Sequence, residues 1–122
     1  MKIRISGNSV RFRLSKPEVE KLRNEGVVAE KTIFPQGKFS YKIKSDSKTE
    51  NLSVSFENSL ITLSVPATFI SDWPENNVTG IDHHVQLDGD QKLYLLLEKD
   101  FKCLDNVLED QSDNYENPKQ TC

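Results

Sequence analysis

The sequence predicts a mainly β fold of the α+β class: about eight strands and two short helices, forming an antiparallel barrel or a two-sheet structure. Three observations carry this. Short runs of strict apolar–polar alternation recur along the chain, turn-forming residues separate them in pairs, and helical spacing interrupts them at only two places. Eight strands with two helices close naturally into a barrel or pack as two layers, and closure would remove exposed edges.

The first strands are Ile3 and Ile5 alternating with Lys2 and Arg4, then Val10, Phe12 and Leu14 alternating with Arg11 and Arg13. The Gly7-Asn8 pair between them reads as a hairpin turn. The period then changes. Ser15 suits an N-cap, Glu18 completes a capping box, Pro17 fits a first helical turn, and Val19 with Leu22 give an i, i+3 face. Gly26 supplies the stop, so a helix of about ten residues is expected.

A second hairpin follows, Val27 to Phe34 and Phe39 to Ser45, around Pro35-Gln36-Gly37. Asp46 to Asn51 is a polar connector. Val54 and Phe56 lead through Glu57-Asn58-Ser59 to Ile61, Leu63 and Val65 as a third hairpin. Pro66 to Trp73 reads as a short helix stopped by Pro74. Val78 to Leu87 and Lys92 to Glu98, around Asp88-Gly89-Asp90, form the fourth hairpin.

The order therefore recurs. At an offset of 51, Ile3 falls on Val54, Ile5 on Phe56, Val10 on Ile61, Phe12 on Leu63 and Leu14 on Val65. Past the helix the offset becomes 54, matching Phe39 with Leu93, Tyr41 with Leu95 and Ile43 with Leu97. This suggests two copies of a ββαββ unit, residues 1–50 and 51–100. Identity between the halves is low, and two unrelated amphipathic hairpins would also match in part. Residues 1–104 are expected to form one β-rich domain, and 105–122 an acidic C-terminal tail that packs on it or trails from it.

At 122 residues there is room for one core. No run approaches the roughly 20 apolar residues that span a bilayer, and the start lacks an apolar run of signal-peptide length. A cytoplasmic protein with no membrane role is expected, its Cys103 and Cys122 reduced. The charge is lopsided. Residues 1–50 hold 12 Lys/Arg against 6 Asp/Glu, and residues 51–122 hold 4 against 13, for a total of −3. Either the two halves attract each other, or the basic half presents an anion-binding surface.

Alternation places Arg4, Arg11 and Arg13 on one side of the opening hairpin, with Lys42 and Lys44 on the corresponding face of a later strand. Clustered guanidiniums offer forked donors for phosphate or carboxylate. These five residues are the anion-binding candidates, with Glu98 and Asp100 available as neutralising partners. Lining a barrel interior, the face would hold an anion strongly; outside, it would be solvated. No aromatics interleave with the basic residues on that face and the pI is about 5.4, so nucleic acid is not an expected partner.

Nothing implies a metal or cofactor. His83 and His84 are adjacent in a strand and point to opposite faces, and 18 residues separate the two cysteines. Hydrolytic, zincin, Walker and dinucleotide motifs are missing. The tail concentrates Asp105, Glu109, Asp110, Asp113 and Glu116, with Tyr115 placed to anchor a return onto the basic half.

The segments KIRISGNSVRFRL (Lys2 to Leu14), EKDFKCL (Glu98 to Leu104) and EDQSDNYENP (Glu109 to Pro118) resemble a family of small bacterial proteins classed as a domain of unknown function. The resemblance covers the whole chain and implies a small cytoplasmic protein; it brings no activity, cofactor or site residue. In outline a duplicated barrel is also similar to the triphosphate-tunnel fold, but Lys2-Ile3-Arg4-Ile5 stands where that family has Glu-x-Glu-x-Lys. Two functional expectations follow. One is a small non-catalytic binding or protein-interaction domain that meets a protein partner or another subunit. The other is a barrel binding a phosphorylated anion through Arg4, Arg11 and Arg13, with phosphohydrolysis requiring a metal held by carboxylates such as Asp82, Glu98 and Asp100.

Overall fold

The computed structural model describes residues 1–101 and Tyr115; the expectations for Cys103, Cys122 and the acidic residues of the tail lie outside them. Eight strands and two helices follow in the order β1 (Lys2–Ser6), β2 (Ser9–Leu14), α1 (Lys16–Glu25), β3 (Val27–Phe34), β4 (Gly37–Asp46), β5 (Ser53–Glu57), β6 (Leu60–Pro66), α2 (Ala67–Ile70), β7 (Gly80–Gln86) and β8 (Lys92–Lys99). A 3-10 turn, Trp73–Glu75, follows α2 and contains Pro74, so Pro74 sits inside the turn and does not stop a helix at Trp73.

Helix α1 follows its sequence signals. Glu18 Oε1 accepts from the Ser15 backbone N–H at 3.0 Å and the Ser15 hydroxyl at 3.1 Å. Gly26 takes the left-handed conformation, φ 81°, and returns its N–H to the Leu22 carbonyl, a C-terminal geometry that a Cβ disfavours. Val19 and Leu22 turn the buried face of the helix into the core.

The strands form two four-stranded sheets, β1-β2-β8-β7 and β3-β4-β6-β5. They remain separate, so the fold is two-layered and not a closed barrel. Each sheet takes one hairpin from each half of the chain. The hairpins join through their second strands, and these central pairs, β2–β8 and β4–β6, are parallel. The strand pairing is mainly antiparallel, as expected, with these two joins parallel. β2 and β8 carry the more buried inward-facing residues and lie at the centre of their sheet, while β1 is largely exposed and suits an edge.

The two halves match in register. Val10 pairs with Leu95 and Phe12 with Leu97 in the first sheet. The corresponding positions, Ile61 with Tyr41 and Leu63 with Ile43, pair in the second. A bond near the hairpin tips repeats as well: Tyr94 N–H donates to Asn8 C=O at 3.1 Å, and Ser40 N–H to Ser59 C=O at 2.9 Å.

The core lies on the inner faces: Phe12, Leu14, Leu95 and Leu97 from one sheet, Ile43, Ile61, Leu63 and Val65 from the other. Val19, Leu22, Ile70 and Trp73 complete it. Burying each such large side chain contributes about 1.5–3 kcal/mol. Trp73, the only tryptophan, is fully buried and donates its indole N–H to the Val78 carbonyl at 2.8 Å. No helix among the described residues is long and apolar enough to cross a membrane.

Candidate binding face

Since Ile3, Val10 and Phe12 point inward, alternation sends their neighbours out. Arg4, Arg11 and Arg13 all leave the outer face of the first sheet. Arg4 stands directly opposite Arg11, and Lys2 opposite Arg13. Across the parallel join Arg11 neighbours Leu96 and Arg13 neighbours Glu98, and beyond them lie Asp82 and Gly80 of β7. Lys42 and Lys44 leave the outer face of the other sheet, next to Thr62 and Ser64. The structure therefore unites the three arginines and separates the two lysines from them, because alternation assigns a face of a strand and not a sheet. The arginine face points outward and does not line a barrel interior.

The charges on this face are unevenly matched. Arg13 Nε donates to Glu98 Oε1 at 2.8 Å, while Arg11 Nε stands 3.9 Å from the same oxygen. Lys2 Nζ reaches Asp100 at 3.1 Å. Among the described residues Arg4 makes no ion pair. Arg4, Ser6, Ser9 and Arg11 bound a depression of about 180 Å³. A second, of about 430 Å³, is lined by Gly80, Asp82, Leu96 and Glu98. On the same sheet Tyr94 donates its hydroxyl to Asp82 at 2.9 Å, and the His84 ring packs against that of Tyr94 in a tilted arrangement, centroids 4.7 Å apart. The hydrogen bond to Asp82 holds the Tyr94 phenol above its ordinary pKa.

Two further groupings, around Lys99 and Met1, escaped the sequence reading, and Tyr115, expected to anchor a return over the positive face, lies elsewhere than the arginines. Lys99 follows Leu95 and Leu97 in phase, so it points inward; it is 3% exposed and donates to the Asn76 carbonyl at 2.7 Å. Its ammonium lies 4.7 Å from the Tyr115 ring centroid and 5.8 Å from that of Trp73, and burial lowers its pKa. The phase with two leucines was the available signal, overridden by the lysine's charge. Tyr115 bridges to Phe101 and donates its N–H to the Asp100 carbonyl at 2.8 Å. It thus docks at the end of β8, beside Lys99 and Lys16 and away from the arginines. Finally, the Met1 ammonium is held by Glu18 and, at 2.7 Å, by Glu30. No local pattern announces that contact.

The fold and this face define a two-layer β module with a guanidinium-rich outer sheet surface. The chain belongs to the family described as "Family of unknown function (DUF7009)", which matches residues 1–119. No curated protein and no solved structure matches it.

Proposed function

We propose that this protein is a small non-catalytic binding module whose outer β1-β2-β8-β7 face docks on an acidic surface of a protein partner. The observation that carries this reading is the Arg4–Arg11 opposition, two like charges placed directly across a strand pair. Such a pairing is destabilising, and the nearest carboxylate is already committed to Arg13. Comparison of the two halves adds support. Inner positions match in kind, but the outer counterparts of Arg4, Arg11 and Arg13 are Ser55, Thr62 and Ser64, so the arginines are not required by the frame. Asp82 and Glu98 are each engaged by a neighbouring side chain, which favours binding over metal-assisted hydrolysis.

The test is a ¹⁵N-resolved titration with a glutamate-rich decapeptide. Shifts centred on Arg4, Arg11 and Tyr94, lost in Arg4→Glu/Arg11→Glu and kept in Lys42→Glu/Lys44→Glu, support the module. Shifts centred on the outer face of β4, or undiminished binding by the Arg4→Glu/Arg11→Glu protein, overturn it. Sedimentation of the free protein separates self-association: concentration-dependent dimers abolished by the same arginine changes would make a second subunit the partner.

A further inference from the structure

We infer that the depression between β1 and β2 is an oxyanion site that takes a phosphate monoester, with Arg4 and Arg11 as its two clamps. The inference rests on the reading that this face receives anions and names the anion. Arg4 and Arg11 are register partners, so their side chains rise from adjacent strands about 5 Å apart and converge on one volume. Together they bring two positive charges, and each guanidinium presents a fork of N–H donors.

The remaining walls fit the same occupant. Ser6 lies two residues beyond Arg4 and on its face, and among the described residues its hydroxyl makes no hydrogen bond, leaving an O–H donor for the ligand. The Ser9 hydroxyl already donates to the Ser6 carbonyl at 2.7 Å, so Ser9 is a wall and not a ligand. The volume, about 180 Å³, admits a phosphoryl group and excludes a bulky body, which must extend outward. A monoester carries about −1.5 to −2 charges near neutrality and so matches the pair of guanidiniums, whereas a lone carboxylate leaves one of them uncompensated. The phosphoryl group could sit on a small metabolite or on a phosphorylated side chain of a partner; the chemistry at the site is the same.

Calorimetric titration with O-phosphoserine, glycerol 2-phosphate and a phosphoserine-containing peptide tests this. Saturable binding is expected for the monoesters and none for serine. Arg4→Gln and Arg11→Gln should each weaken binding at least tenfold, and Arg13→Gln less than twofold. Tighter binding of the peptide than of both small monoesters assigns the group to a partner; equal or weaker binding assigns it to a small molecule.

Affinity should also fall as pH drops from about 7.5 to 5.5, when the monoester takes up its second proton, pKa about 6. The groups facing the site from the neighbouring strands are Lys2, Arg13, Glu98, Tyr94, Asp82 and His84. Native tryptophan emission from Trp73 confirms the fold of each variant.

Absence of monoester binding by the wild-type protein, or its survival in Arg4→Gln/Arg11→Gln, overturns the inference. If the acidic peptide still binds in the first case, the module stands and only the phosphate assignment fails.

Discussion

Gly80 runs so close to β8 that a Cβ built on it would lie 2.1 Å from the Leu97 carbonyl oxygen. Real contacts do not tolerate that approach, and the obstruction is backbone that cannot swing aside. Gly80→Ala is therefore expected to destabilise by about 1–3 kcal/mol through forced displacement of β7. Urea unfolding followed by Trp73 emission measures it; an unchanged midpoint would show that the strands separate freely.

Glu18 serves two masters, the start of α1 and the Met1 ammonium. Burial pushes its carboxyl up, but hydrogen bonds from the Met1 ammonium and Ser15 outweigh this and leave its pKa lowered. Burial likewise opposes the Met1 charge, yet Glu18 and Glu30 leave that pKa raised. A lowered folded pKa on an acid gives stability that is present above about pH 4.3 and lost as pH falls through the folded value. A raised folded pKa on an amine gives stability that is present below about pH 8 and lost as pH rises through the folded value. Glu18→Gln should thus cost about 1–2 kcal/mol at pH 6–7 and progressively less toward either extreme. Denaturation midpoints of both proteins across pH 3–10 give the comparison.

Lys99 has the opposite sign. Burial lowers its pKa, so in the folded protein the charged form is disfavoured relative to the unfolded chain. That penalty is complete below the folded pKa and fades as pH rises toward about 10.4, where the unfolded lysine also loses its proton. Stability relative to Lys99→Met should therefore shift in favour of lysine on going from pH 8 to 10.5. The comparison is made in a Tyr115→Phe background, since burial raises the Tyr115 phenol and it would titrate in the same range. A pH-independent difference would mean that Lys99 is not desolvated.

The hairpins and α1 were legible because each rests on local chemistry: alternation, a turn residue, a capping box and a stop glycine. The offsets of 51 and 54 matched equivalent positions of the two halves, Val10 with Ile61 and Tyr41 with Leu95, and left open which strands pair. Which hairpin joins which was not legible. Burial of β2 against β8 is decided by the whole core, and alternation is indifferent to a parallel or antiparallel neighbour. The same limit explains the site. Period-2 spacing put Arg4, Arg11 and Arg13 on one face correctly, but grouped them with Lys42 and Lys44, which belong to another sheet. Lys99 was hidden differently: its phase said inward, while its charge suggested solvent, and the aromatic rings that resolve the conflict come from Trp73 and Tyr115, distant in sequence.

The central claim is that Arg4 and Arg11 serve binding and not the fold. The second sheet already shows what the frame accepts at those positions, Ser55 and Thr62. Installing them, as Arg4→Ser/Arg11→Thr, and measuring urea stability at low salt together with acidic-peptide affinity tests the claim directly. The account predicts stability unchanged or raised by roughly 0.2–1 kcal/mol, as the opposed like charges are relieved, with peptide binding abolished. A loss of more than about 1 kcal/mol with binding intact would contradict it.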